Sequence, residues 1–252
     1  MRMLYLDIET FPNVCFTWGL FNQNIGLDSI VESGTTACWA ARWEGDKKVH
    51  YAGLNENTEA EMVLQIWQLL DEADIVVHYN GRKFDIPILN KEFIKFGLQP
   101  PTPYQQIDLL ETARRQFRFV SNKLDYVAQF LGLGSKVQHK GMKLWVGCME
   151  GNPRDWKIMK KYNIQDVHLL PKLYKKLLPW INNHPNMALY NGEDVEVCTN
   201  CGSEHLVKKG MEHLATQSYQ RYKCMDCGTN LKGRTTALTI EKRKTILTQS
   251  KL

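Results

Sequence analysis

The chain lacks any apolar run approaching the roughly 18 residues a membrane span requires, which leaves no candidate transmembrane helix in its 252 residues. No secretory leader is expected either, since the first ten residues already include Arg2, Asp7 and Glu9. There is no internal repeat and no low-complexity segment. A soluble, cytoplasmic protein is therefore expected. The 43% hydrophobic fraction suits a globular chain long enough for one well-buried domain and a small appendage. Excess charge is nearly absent from most of the chain. Residues 198–252 hold ten Lys/Arg against four Asp/Glu, while residues 1–197 hold 22 against 23. Attraction for polyanions is thus concentrated at the C-terminus.

Seven cysteines are present, but without a secretory signal they do not read as a disulfide framework. Four of them form two Cys-x-x-Cys-Gly knuckles, Cys198/Cys201 and Cys224/Cys227, separated by the 22 residues 202–223. Four thiolates satisfy tetrahedral zinc, and the glycine after each pair lets the backbone fold back toward sulfur. One structural zinc ion is expected there. Cys15, Cys38 and Cys148 are expected to be buried free thiols.

Apolar and aromatic residues dominate 3–8, 13–21, 35–43 and 47–52, which suggests an antiparallel meander. Residues 58–73 carry helical spacing at Met62, Ile66, Leu69 and Leu70 behind a threonine cap, and lead into the buried-strand pattern of 74–80. Helices are then expected over 84–97, 107–117, 121–134 and from Arg154 to about Trp180, with Pro171 kinking the last. The layer order is α/β with a mixed sheet. Residues 182–194 are rich in turn formers and read as a linker.

In a strand, residues two apart project from one face, so Asp7 and Glu9 must point together, and two buried like charges need a cation. Asp85 falls just past the end of the strand over 74–80, where open α/β sheets build their sites. Tyr162 and Asp166 lie one turn apart on the last helix. Each feature alone has an ordinary explanation: an exposed strand end, a helix cap, the polar edge of an amphipathic helix. Asp108, Asp125 and Asp155 are expected to be caps or first-turn charges.

Together and in this order, these residues resemble the DEDD superfamily of 3′→5′ exonucleases, which have an RNase H-like fold. Asp7 and Glu9 match its first motif, Asn80, Phe84 and Asp85 its second, Tyr162 and Asp166 its third. The tyrosine selects the tyrosine branch; the histidine branch would require His where Lys161 stands. The resemblance spans about residues 1–180 and implies two Mg²⁺ or Mn²⁺ ions clamping the attacking and leaving oxygens of a phosphodiester. It further implies that Asp7 bridges both ions, Glu9 and Asp166 hold the ion that activates water, and Asp85 serves the leaving-group ion. Tyr162 would orient the attacking water. Backbone amides around Thr10 and Phe11, with the Asn80 side chain, would hold the terminal nucleotide.

The expected organisation is an RNase H-like exonuclease domain over 1–181, a linker over 182–197, a small β zinc ribbon over 198–232 and a basic tail over 233–252. The ribbon is similar to those of DNA-binding proteins. Tyr219 and Tyr222 in "YQRYKC" would stack on bases, or else fill a very small core. The implied substrate is single-stranded or frayed DNA 3′ ends. The length leaves no room for a polymerase, so a separate polymerase or other replication protein is an expected partner, and a phage or mobile-element source suits the combination. Two alternatives stay open: RNA 3′-end trimming, and an inert scaffold that binds nucleic acid through the ribbon.

Overall fold

The computed structural model describes residues 1–190, 192 and 194–250. Asn191 and Glu193 of the expected linker, and Lys251 and Leu252 of the expected tail, lie outside the described residues. The chain divides into two compact units, Met1–Tyr174 and Lys175–Leu252.

The first unit is built on strands β1 (Met3–Thr10), β4 (Thr36–Trp43), β5 (His50–Gly53), β6 (Ile75–His78) and β7 (Gln105–Asp108), with β2 (Val14–Cys15) and β3 (Ile30–Glu32) forming a separate hairpin. The sheet order is β5-β4-β1-β6-β7. β4 and β5 run antiparallel and β6 and β7 parallel to the strand on which each is built, so β1 sits at the centre of a mixed sheet. This is the architecture expected from the resemblance.

Alternation along β1 explains both faces. Leu4, Leu6 and Ile8 join Trp39, Ala41, Met62, Ile66, Leu70, Leu89 and Phe93 in one buried cluster, under helices α1 (Glu59–Asp71) and α2 (Asp85–Lys95). A reciprocal capping box between Thr58 and Glu61 starts α1. Tyr5, Asp7 and Glu9 alternate with these and so project from the opposite face. There the Tyr5 ring meets Tyr174 edge-on at 6.1 Å, on helix α6 (Pro153–Leu177). The β4 residues paired with Asp7 and Glu9 are the small Ala40 and Cys38, which leave room above the two carboxylates.

Between β7 and α6 lie α3 (Leu109–Gln116), α4 (Leu124–Phe130) and α5 (Met142–Met149). Four sequence expectations shift. Cys15 is half-buried rather than buried, because its two-residue strand is covered by β3 alone. Residues 13–21 are not a strand beyond Val14–Cys15; Phe16, Trp18, Leu20 and Phe21 are exposed, because the β2–β3 hairpin has no third strand to bury them. Ile107 and Asp108 end β7 rather than opening a helix, since Asp108 is the cap of α3. The helix expected from 121 starts at Leu124, with the Ser121 hydroxyl accepting from the Lys123 amide instead. Helix α5 gives no sequence signal of its own: it starts without a side-chain cap and contains Gly147, where a Cβ would collide with the Asp155 carboxylate. Helix α6 continues through Pro171.

The second unit carries a three-stranded antiparallel sheet, ordered β10 (Asn230–Lys232), β9 (Ser218–Cys224), β8 (Leu206–His213), followed by the short helix α7 (Ile240–Lys244). No helix among the described residues is long and apolar enough to cross a membrane.

Candidate active site

Carboxylate oxygens of Asp7, Glu9 and Asp166 all lie within 4.8 Å of one another. The pleat of β1 aims the first two together, and α6 packs across that face and brings the third. Asp85 is not part of this trio. It is buried at the first turn of α2, where its Oδ1 accepts from the Ile8 amide at 3.0 Å, between the two β1 acids. Its charge nonetheless acts on both of them.

Such crowding leaves its mark on protonation. Burial, then Asp166, Glu9 and Asp85, raise Asp7 well above the usual carboxylate range. Burial pushes Glu9 up to about 8, against Lys136, which favours its charge. Burial also pushes Asp85 up to about 7, although the Ile8 amide works the other way. The Oδ1 of Asp166 is buried with no hydrogen-bond partner among the described residues.

Sequence reasoning missed the cation that tempers this cluster. Lys136, in the loop before α5, ion-pairs with Asp166 and places its Nζ 3.0 Å from Tyr162 Oη and 4.8 Å over the Tyr162 ring. Burial works against its charge, but Asp166, Tyr162 and Asp7 together raise its pKa. Asn163 was missed as well: its amide donates to Asp7 Oδ2 at 2.7 Å and to the Asp7 carbonyl at 3.1 Å. The only signal for it was adjacency to Tyr162. The Tyr162 ring is wedged edge-on against His139 at 4.9 Å and Trp145 at 6.1 Å. Burial pushes its phenol up to about 12.

Asn80 stands in the left-handed region at φ 73°, and Asp108 holds it there by accepting from its amide at 2.9 Å. The same Asp108 oxygen caps α3 at the Leu110 amide, so the expected cap also shapes the site loop. Asp125 accepts from the Lys136 amide at 2.8 Å and thereby fixes the lysine loop; Asp155 pairs with Lys140 at 2.9 Å. Asp7, Asn80, Arg114, Lys123, Lys136, His139 and Tyr162 line one open cleft. Thr10 lines a smaller neighbouring cavity with Met142 and Trp145. Phe11 requires a correction. Its amide is already committed to the Thr35 carbonyl at 2.9 Å and its ring to Trp156 at 5.8 Å, so it offers no free amide to a nucleotide.

The raised carboxylates set a pH dependence. The folded chain keeps protons on Glu9 and Asp85 that the unfolded chain releases near pH 4, so between there and the folded values of about 7 and 8 it binds more protons than the unfolded state. Stability must then fall as pH rises through that window. Without added divalent ions, the thermal midpoint read from tryptophan fluorescence should be lower at pH 8.5 than at pH 6. Mg²⁺ should restore more at the higher pH. A flat or rising midpoint would mean these acids ionise freely.

In the second unit, Cys198, Cys201, Cys224 and Cys227 bring their sulfurs within 4.8 Å of one another. The two knuckles repeat one backbone pattern. Gly202 donates to the Cys198 carbonyl at 2.9 Å and Gly228 to the Cys224 carbonyl at 3.1 Å, with φ of 75° and 80°. Burial tends to raise the Cys224 thiol, but the Cys227 and Asp226 amides override it and bring it down to about 7.

A family model described as RNase_H superfamily matches residues 4–178. Among solved structures, the chain is similar to the family B DNA polymerase from the hyperthermophilic archaeon Pyrobaculum calidifontis. The identity is 19% and the TM-score 0.52, and the match covers 71% of this chain and 24% of that one. The likeness is one of fold, to a quarter of a much longer protein. No curated protein matches the chain.

Proposed function

The chain belongs to the RNase_H superfamily, and from that premise we propose that it is a metal-dependent 3′→5′ exonuclease of the tyrosine branch, trimming DNA ends. The observation that carries this reading is the convergence of Asp7, Glu9 and Asp166 within 4.8 Å.

The donor set fits divalent cations. Three carboxylates this close, one with a partnerless buried oxygen, need more positive charge than the single Lys136 provides. Asp7, Glu9 and Asp166 would hold one Mg²⁺ or Mn²⁺, and Asp85 with Asp7 a second. Bound ions would polarise the phosphodiester and offset charge on its attacking and leaving oxygens.

The chain's own residues supply the rest. Tyr162, protonated at neutral pH, orients a water by hydrogen bonding and does not deprotonate it. Lys136 offers its ammonium to the same space, where it neutralises acids in the free site and meets a phosphate in the occupied one. Asn163 fixes the Asp7 rotamer, and Asp108 holds Asn80 at the cleft wall. Tyr162→Phe keeps the ring between His139 and Trp145 but removes the hydroxyl. It should slow turnover by about 10- to 100-fold with little change in KM. An unchanged kcat would remove Tyr162 from the mechanism.

Residues 1–181 would form the exonuclease domain, with 182–197 as linker, 198–232 as a ribbon holding one structural zinc and 233–252 as basic tail. We favour DNA over RNA, and a replication or repair setting with a separate polymerase, with the likeness to a DNA polymerase as support. The test is a product ladder from 5′-labelled DNA and RNA strands with Mg²⁺. One-nucleotide shortening of DNA from the 3′ end supports the reading. Preferential shortening of RNA moves the sugar assignment. Absence of cleavage under Mg²⁺ and Mn²⁺ alike leaves an inert binding protein and overturns it.

A further inference from the structure

In the second unit the two faces of the three-stranded sheet differ in chemistry. Along β9, Tyr219, Arg221 and Lys223 alternate with Gln220, Tyr222 and Cys224, so the two tyrosines, three apart, point to opposite faces. The opposite face is the more covered one: Ser218 and Cys224 are buried, and Tyr222, itself half-exposed, pairs with Leu231 on β10 and donates its hydroxyl to Glu196 at 3.1 Å. The Tyr219 face is cationic. Arg221 lies directly opposite Lys232 of β10, and Lys223 lies opposite Val207 of β8 and Asn230 of β10. The β8 bulge between Lys208 and Met211, facing Arg221, brings in Lys209.

Like charges placed directly across a sheet destabilise it. Here Lys232 is compensated, pairing with Glu212 at 2.7 Å and lying 5.5 Å over the Tyr219 ring. The side chains of Lys209, Arg221 and Lys223 have no acceptor among the described residues, and all three are exposed. A local rule broken without compensation is the mark of a surface kept for a partner. Unpaired cations about 7 Å apart along one strand, beside a half-exposed ring, match a chain of phosphates whose bases are free to stack.

We propose that this face, formed by Lys209, Arg221, Lys223 and Tyr219, binds single-stranded nucleic acid, with the unpaired cations on phosphates and Tyr219 under a base. A duplex would leave no base face for the ring, and an acidic peptide would leave the ring unused. The identity of the polyanion rests on the nuclease reading, but the placement of the site does not.

The test is fluorescence anisotropy of a labelled single-stranded oligonucleotide with the full zinc-loaded chain, without added Mg²⁺, between 50 and 200 mM salt. Arg221→Ala/Lys223→Ala should weaken binding at least about tenfold at the lower salt and reduce the slope of log K against log salt by about 1.4, two single-strand phosphates' worth. Tyr219→Leu should weaken binding several-fold with the slope unchanged. Lys242→Ala/Arg243→Ala removes the same charge from α7 and should do less. Zinc content checks the fold; if the alanine pair lowers it, Arg221→Gln/Lys223→Gln replaces it. An unchanged slope, an equal loss in the α7 pair, or displacement of the oligonucleotide by polyglutamate at matched charge would overturn the site. A chain that binds in this way but never cuts would fail only the exonuclease reading. One that cuts while ignoring Arg221 and Lys223 would fail only this one.

Discussion

Asp7→Asn is expected to reduce removal of a 3′-terminal nucleotide by at least about 10³-fold, or about 4 kcal/mol of barrier, while the chain stays folded. Asparagine keeps the side-chain shape, and its oxygen still accepts from Asn163, which reaches Asp7 Oδ2 at 2.7 Å in the native chain. What disappears is the ionisable carboxyl group at the centre of the acidic cluster. Asp7 is surrounded by Asp166, Glu9 and Asp85, all of which work against its ionisation. Its neutral replacement therefore relieves repulsion in the chain without added ions and weakens the hold on a divalent cation in the loaded one. Two measurements should move in opposite directions at pH 8. The thermal midpoint without Mg²⁺ should rise relative to the native chain, and the increment gained on adding Mg²⁺ should shrink. Wild-type hydrolysis by this variant, or an undiminished Mg²⁺ increment, would show that the carboxylates of β1 do not hold the metal.

That cluster was legible in the sequence because strand and helix periods are geometric. Two acids two apart on a strand share a face whatever surrounds them, and an acid one turn after a tyrosine shares its helix face. The strands read from apolar runs are those that other layers bury, such as Met3–Ile8 and Ile75–Val77. The aromatic run through Phe16, Trp18 and Phe21 was read as strand on the same signal, yet these rings are exposed. Composition reports that a residue suits burial, not that a layer exists to bury it. Lys136 was invisible for the opposite reason. It lies on a loop with no period, and its ammonium is aimed at Asp166 by tertiary contacts: Asp125 accepts from its amide, and Gln165 donates to the neighbouring Ser135 carbonyl. Phe11 shows the limit of carrying a role by position: the bulge between Glu9 and Thr10 shifts the register, and the Phe11 amide goes to Thr35. Alternation separates Tyr219 from Tyr222 in "YQRYKC", a division available from spacing alone once β9 is accepted as a strand.

Cys224→Ser should release the proposed zinc ion and unfold the sheet of β8, β9 and β10. From residue 198 onward, the only buried side chains among the described residues are Cys198, Asn200, Ser218, Cys224 and Thr229. No large apolar side chain is buried there, so the sheet has almost no hydrophobic stabilisation of its own and depends on the metal to hold its two knuckles together. Against burial, the Cys227 and Asp226 amides bring the Cys224 thiol down to about 7, and serine offers no comparable anion at neutral pH. Zinc content should fall from one equivalent toward zero. Amide hydrogens of residues 206–213 and 218–224 should lose their exchange protection, while those of β1 and β6 keep theirs. Hydrolysis of a short 3′-labelled strand should persist, because Asp7, Glu9, Asp85 and Asp166 all belong to the unit Met1–Tyr174. Affinity for a longer single strand should drop at least as far as in Arg221→Ala/Lys223→Ala, since the whole cationic face is lost with the sheet. Retention of one zinc equivalent together with full protection in β8 and β9 would show that the four sulfurs within 4.8 Å do not hold the fold.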